Sequence, residues 1–588
     1  MFKYPKGSEY FNRFNLLQLL EKVSANSIYG CLGNWSAVYY NANVASSVTA
    51  CGKSSISTAG LSFESFLANN VKFRKLDEII VFINHIIKER PKRQFNDRDV
   101  LDRNIPLDEV FIKVMSTCGH GYTPTMEDCE IIWDILSKLD SEDLNRIYFK
   151  NNLLEFFDVS KMSNMVIEVL KRLKSPWMDP NEVPKEIELE MDTMWDLVEE
   201  YVFYQYQYID RQERFEFLPR KVCCIVDTDS NILNLDFWYR FIKDKVVGID
   251  MKIKHEVYDL GKIIKADEFG DREMMVPAEI IDIEDDYDFY EDETVEIERL
   301  ISPAKLVPND SLRYSIINIL AFMCGKMVNQ TMVNYTKQNN SYREGVPCSL
   351  TMKNEFLFKR VLLTQARKNY ASIIELQEGH IVPEEESLDV KGLPIRKSTL
   401  PKRTRDELQN ILYEDILNSG NNLDQKVILK HMILLEKQIF ESLSSGSREY
   451  YKPSQVKAVT SYDNPMRISG FKGCVVWNEL TDLNTEKHDL NIRNAVDIVK
   501  VVLTAKTVEK LKGYPDVYER ACKLLNDPSF SGGINNISIP LGVEVPDFIF
   551  EIIDYNTIIN DNLKNMPLQS VDIIIGNDNV NYSNMVQL

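Results

Sequence analysis

KVSANSIYG, residues 22–30, is the stretch on which the reading of this chain turns. The segment around it, 12–32, carries Leu16, Leu17, Leu20 and Val23 at helical spacing, which predicts an α-helix. On that helix Lys22, Asn26 and Tyr29 stand at i, i+4 and i+7 and therefore share one face. A second short pattern follows at 226–230, VDTDS. It lies between two apolar, β-branched runs, 221–225 and 231–238, which predicts a strand–turn–strand hairpin. Alternation along a strand would set Asp227 and Asp229 on the same side.

Those residue types suit one kind of chemistry. Carboxylates on a tight hairpin can hold hard divalent cations, which favour oxygen ligands. Two such ions about 3.5–4 Å apart activate an attacking hydroxyl and neutralise a leaving phosphate. A lysine on a helix is a point charge suited to a triphosphate tail. Taken alone each feature has a plainer explanation. DTDS also makes an Asx turn, Tyr29 suits core packing, and an isolated lysine is ordinarily solvated.

Composition sets the outer limits. The 588 residues suffice for several domains, and 44% hydrophobic with 27% charged residues is a soluble balance. No run of about 18 apolar residues occurs, so no membrane span is expected. The segment 315–328, interrupted by Asn318 and Lys326, reads as a buried helix. The first 15 residues have no apolar signal-peptide core. Ten scattered cysteines lack a disulfide framework, which points to a reducing cytosol. Cys118, His120 and Cys129 lack a fourth ligand at zinc spacing, and adjacent Cys223 and Cys224 read as small core residues.

The net charge of -20 argues, taken as a sum, against nucleic acid. Its distribution matters more. Ten acidic residues fall between Asp282 and Glu298 with no basic one, which reads as a solvated acidic loop. Basic residues gather instead at Lys359-Arg360, Arg367-Lys368, Lys391, Arg396-Lys397 and Lys402-Arg403 with Arg405. A channel can be locally positive inside an acidic protein.

In this order the two patterns resemble the Kx3NSxYG and YxDTDS motifs of family B DNA polymerases. The resemblance implies an α/β multidomain right-hand polymerase fragment. Part of the fingers with the start of the palm would occupy 1–60, and a large helical insertion within the palm 61–217. The palm, with the DTDS hairpin, the acidic loop and a KKRY-like motif, would occupy 218–388, and a mostly helical thumb 389–588. It implies Asp227 and Asp229 as catalytic residues and ligands of two Mg2+ ions, with Asp229 essential and Glu355 in MKNEF a further palm carboxylate. Ile225 stands where the family often has Tyr. Lys22, Asn26, Tyr29 and Gly30 would bind the incoming nucleotide, Gly30 letting the template-side backbone approach. The continuation YYNANVASSVTACGK, 39–53, is similar to the family's palm helix.

Further along, Arg367, Lys368 and Tyr370 resemble the KKRY motif that holds the primer terminus, with Asn369 a departure that weakens one phosphate contact. Lys391, Gly392 and Arg396 in LDVKGLPIR resemble the start of a thumb that grips the duplex. NPMRISGFKGCVVWN (464–478) and GGINNISIPLGVEVPDF (532–548) are similar to thumb segments of tailed-bacteriophage replicative polymerases. That likeness implies a viral protein in the cytoplasm of an infected bacterium, acting on primer–template DNA and deoxynucleoside triphosphates (dNTPs). Such enzymes commonly end in an apolar or aromatic tail that docks on a sliding clamp. This chain ends SNMVQL, with no aromatic after Tyr582, so a clamp contact through the tail is left open.

Only 21 residues precede Lys22, and no DxxSLYPS-like motif occurs. The expectation is therefore the C-terminal half of a split polymerase. A companion chain would bring the exonuclease, the first fingers helix, the first catalytic aspartate and the residue that excludes ribonucleotides. The isolated chain would then be inactive. The alternative is a non-catalytic polymerase-like scaffold that binds DNA in a phage replisome, which would have no chemical need for Lys22, Asn26, Tyr29, Asp227 and Asp229 together.

Overall fold

The computed structural model describes residues 8–88, 100–119, 122–173, 185–205, 210–227, 230–247, 252–265, 273–277, 294–301, 309–348, 350–364, 368–378, 380–419, 423–457, 459–481, 494–530 and 532–563. Helices dominate, with small antiparallel sheets among them. The chain divides into two compact units, Met1–Asn354 and Glu355–Leu588.

The first unit opens on α1 (Glu9–Gly33), slightly longer than the sequence pattern predicts, with Ser8 as N-cap accepting from the Phe11 N–H. None of its residues is buried. α2 (Ala42–Ala68) starts at Asn41, whose side chain accepts from the Val44 N–H. It ends at Asn69 in the left-handed conformation, φ 47°. The C-terminal half of α2 enters the core through Ala59, Phe63, Phe66 and Leu67. Gly60 is where α10 (Arg211–Phe217) lies against it. A Cβ there would meet the Phe215 ring at 2.4 Å, so only glycine permits that approach.

Between these two helices the chain forms α3 (Leu76–Lys88), α4 (Leu107–Ser116), α5 (Met126–Ser137), α6 (Ser141–Phe149), α7 (Leu153–Val159), α8 (Met162–Arg172) and α9 (Lys185–Leu197). Their amphipathic faces share a single core with α2. Cys118 and Cys129 remain free thiols, and His120 lies outside the described residues. After α10 come β1 (Cys223–Asp227), β2 (Ser230–Leu233) and α11 (Asp236–Phe241). The second apolar run, 231–238, predicts a strand that continues to 238. It stops at Leu233 because Trp238 turns into the core, fully buried, and donates its Nε1–H to the Leu67 carbonyl at 2.9 Å.

The acidic stretch is not wholly a loop. Residues 294–298 belong to β5 (Thr294–Ile301), which pairs with β3 (Lys252–Lys265), itself paired with β4 (Glu273–Pro277). Residues 282–293 lie outside the described ones. The expected buried helix at 315–328 extends over α12 (Asn309–Gln338). Leu312, Ile316, Ile319, Leu320, Met323 and Met327 recur at helical spacing and are buried in the core. By length and composition alone Leu312–Gln338 could cross a membrane, but half of its most apolar window is buried inside the protein.

In the second unit β6 (Phe356–Leu363), β7 (Tyr370–Gln377) and β8 (His380–Ile381) form an antiparallel sheet, and β9 (Leu388–Lys391) also pairs with β7. The sequence pattern predicts a mainly helical segment after it. It does contain α13 (Lys402–Asn410), α14 (Gln425–Ser444), α15 (Ser469–Thr481), α16 (Pro515–Asn526) and α17 (Tyr555–Leu563). It also builds a three-stranded sheet from β10 (Lys452–Val456), β11 (Asn494–Leu503) and β12 (Ile534–Pro540). The stretches 464–478 and 532–548 meet there. Asn536 Nδ2 donates to the Ser469 carbonyl at 2.7 Å, and Ser538 Oγ to that of Gly470 at 2.8 Å.

Arg448 ties this sheet together. Its Nε and Nη2 donate to Asp497 Oδ2 at 2.9 and 2.6 Å, and Nη1 donates to the Val543 carbonyl at 2.6 Å. Burial pushes the Asp497 carboxyl up, and the guanidinium opposes that shift. Removing one partner of such a pair leaves the other charge buried. Arg448→Met is therefore expected to cost about 3 kcal/mol of stability. The double variant Arg448→Met/Asp497→Leu should recover part of the loss, as read from urea unfolding midpoints, because the carbonyls of Val543, Ile539 and Pro540 still lose their donor.

Candidate active site

Three local structures carry the residues singled out in the sequence. The first is the β1–β2 hairpin. Its register pairs Cys223 with Leu233, Ile225 with Ile232, Val226 with Asn231 and Asp227 with Ser230, with an irregularity between Cys223 and Ile225. Asp227 is half-buried at the end of β1, and Ser230 Oγ donates to its carbonyl at 3.3 Å. Asp229, with Thr228, lies outside the described residues. Cys223 is buried and its thiol is pushed up to about 12 by desolvation, with the Glu64 charge adding to the shift. It is a small core residue, as its place on an apolar strand suggests.

The hairpin is held from α2 by a residue that sequence reasoning missed. Glu64 is fully buried. Its Oε1 accepts from the backbone N–H groups of Val222 at 2.8 Å and Cys223 at 2.6 Å. The Lys221 N–H is shared between the two oxygens, at 3.1 and 2.9 Å. Asn70 Nδ2 donates to Oε2 at 2.9 Å and also to the Pro219 carbonyl at 2.8 Å. One sequence signal was present: a carboxylate interrupts the apolar stripe of Ala59, Phe63, Phe66 and Leu67.

The second structure is α1. Lys22, Asn26, Tyr29 and Gly30 are all exposed on it. Tyr29 is 45% exposed, which removes the core-packing explanation for it. Its hydroxyl bonds Thr49 Oγ1 of α2 at 2.9 Å. A Cβ at Gly30 would meet nothing within 4 Å. Both motif-bearing elements thus attach to α2, α1 through Tyr29–Thr49 and β1 through Glu64.

The third structure lies in the second unit. Tyr370 opens β7 and stands opposite Lys391 of β9. Lys368 takes the left-handed conformation with φ 64°, and Gly392 has φ 67°. A Cβ on Gly392 would lie 2.1 Å from Asn369 Oδ1 and 2.5 Å from the Lys368 carbonyl oxygen. Lys368, Tyr370, Lys391 and Gly392 therefore come together at one end of the β7–β9 ladder. Arg396 is exposed and donates from Nη2 to the Leu388 carbonyl at 2.9 Å. Glu355 is exposed just before β6, and its carbonyl accepts from the Glu378 N–H. Arg367 lies outside the described residues, as do residues 564–588 with the SNMVQL ending.

Residues 302–586 match the divergent family B DNA polymerases, and residues 9–84 match DNA polymerase family B. The chain belongs to the family B DNA polymerases. No curated protein matches it. The family's activity is DNA-directed DNA polymerisation in DNA replication, with DNA and dNTPs as ligands and divalent metal ions as cofactors. In this polymerase chain the 9–84 match covers α1, α2 and most of α3, and the 302–586 match covers α12 and the whole described second unit. The hairpin lies between the two matched stretches.

Gly392 and Gly30 differ in what a side chain would meet. Gly392→Ala adds a Cβ where backbone and side chain already stand, at a positive φ. It is expected to lower the thermal stability of the second unit by about 1–3 kcal/mol. Gly30→Ala adds a methyl to open space and should leave the melting temperature of the isolated chain unchanged.

Proposed function

We propose that this chain performs template-directed DNA synthesis as the C-terminal subunit of a split family B polymerase. The observation that carries the reading is the state of α1. The helix holds the whole KVSANSIYG motif, yet presents Phe14, Leu16, Leu20, Val23 and Ile28 to solvent. The turn after it adds Trp35 at 83% exposure and Val38 at 95%. An apolar surface of that extent marks an interaction site. A companion chain that supplies the exonuclease, the first fingers helix and the first catalytic aspartate would cover it.

In this reading α1 belongs to the fingers, 61–217 is an insertion in the palm, 218–388 completes the palm, and 389–588 is the thumb. A tailed-bacteriophage origin, with action in the cytoplasm of an infected bacterium, fits the same resemblance. Lys22 would meet the triphosphate tail, and Asn26, Tyr29 and Gly30 the nascent base pair. Lys368, Tyr370, Lys391 and Arg396, with Arg367, would hold the primer–template backbone. Such contacts supply affinity with little sequence information.

Two Mg2+ ions would supply activation of the primer 3′-hydroxyl and charge neutralisation of the triphosphate. The end of the hairpin suits a hard cation in its chemistry. Asp227 and Ser230 offer oxygen donors there, while the Cys223 thiol is buried and protonated. Among the described residues no group of three or more His, Cys, Asp or Glu side chains converges to hold an ion. One carboxylate is too few for two ions. Asp229 and the companion's aspartate would complete the set.

The test is primer extension by the purified chain with and without its companion. The pair is expected to synthesise DNA and the chain alone to produce none. Asp229→Ala in the pair should abolish synthesis while leaving assembly intact, and chelation of divalent metal should stop it reversibly. Extension by the chain alone would overturn the split arrangement. DNA binding without synthesis by the pair would establish a scaffold instead.

A further inference from the structure

We infer that Glu64 is a positioning residue for the polymerase reaction, fixing where β1 begins and thereby where Asp227 is presented. The inference rests on the proposed catalytic role of the hairpin. Among the described residues β1 and β2 form a two-stranded sheet of their own. A two-stranded hairpin is marginal in isolation, so its placement has to come from outside the ladder.

The outside support holds both strands at the open end of the hairpin, where Cys223 pairs with Leu233, and comes from one turn of one helix. At the start of β1, the N–H groups of three consecutive residues, Lys221, Val222 and Cys223, converge on the Glu64 carboxylate. Successive N–H groups of a regular strand point to opposite sides. Their convergence therefore requires the chain to bend at Lys221 and Val222, and it does so there. After β2, the Asn234 N–H returns to the Val222 carbonyl at 2.8 Å, and Trp238 bonds the Leu67 carbonyl. Glu64 and Leu67 are three residues apart on α2.

A carboxylate is a costly choice for this position. Burying an ionised group is unfavourable unless hydrogen bonds replace its water. The C-terminal end of a helix, where Glu64 lies, also repels negative charge. An apolar side chain would satisfy the packing beside Phe63 and Leu67. What it would lack is a set of acceptors able to gather three backbone donors and Asn70 at one point. The function of the charge is to define the bend, and Asp227 follows Cys223 by four residues along the strand.

Glu64→Gln tests this, because it keeps the shape and replaces one acceptor oxygen with a donor. In the isolated full-length chain, hydrogen exchange should quicken at the Val222, Cys223 and Val226 amides while α12 keeps its protection. In the two-chain polymerase the variant should lower kcat at least tenfold and raise the Mg2+ concentration for half-maximal rate severalfold. Ile132→Ala, a core truncation in α5, serves as a control for general destabilisation. It should lower the melting temperature without moving the Mg2+ requirement.

Unchanged hairpin exchange, or an unchanged Mg2+ requirement in an active complex, would overturn the inference. So would an equal effect of Ile132→Ala. If the wild-type pair makes no DNA, the functional reading fails, and the exchange measurement still decides whether Glu64 sets the hairpin.

Discussion

The carboxylate of Glu64 is the constraint on which the N-terminal unit is arranged. It is a charge inside an apolar core, held there by three backbone N–H groups and one side-chain amide. Backbone donors in a bend cannot be satisfied by strand partners, and a buried carboxylate cannot be left without donors. Each solves the other's problem. The result joins a helix near the start of the chain to a strand more than 150 residues later, with the α3–α10 region closed between them. Gly60, one turn earlier on α2, lets α10 close down on the same helix.

The second unit solves an equivalent problem twice by different means. Around β7 and β9 the solution is steric, since Gly392 leaves room for the Lys368–Asn369 turn to fold over it. In the three-stranded sheet it is electrostatic, with Arg448 fanning donors onto Asp497 and onto the carbonyls of Val543, Ile539 and Pro540. Both devices fix the backbone at the edge of a small sheet. In neither case would a conservative change of polarity do the same work.

α1 contrasts with both. It is regular, capped and long, but it buries nothing and joins the unit through the Tyr29–Thr49 hydrogen bond and the turn into α2. A helix with apolar residues on every side is stable when those residues are covered. The exposure of Leu16, Leu17, Leu20 and Val23 explains a pattern that the sequence alone leaves ambiguous. Helical spacing was legible, but the stripe does not face this chain's own core.

Much of the outline was written locally. Periodicity placed α1 within a few residues, the β-branched runs around VDTDS placed the hairpin, and KVSANSIYG with the later motifs gave the family. These follow from short-range rules, in which side-chain spacing and turn chemistry act over fewer than ten residues. What needed the tertiary structure was every feature whose partner lies far along the chain. Trp238 ended β2 early because Leu67 offers it a carbonyl, and β10, β11 and β12 found one another across long intervals within a helical pattern. Glu64 belongs to no motif in the sequence. Only burial opposite three converging N–H groups turned it into the anchor of the hairpin, because the worth of a hydrogen bond depends on the water it replaces.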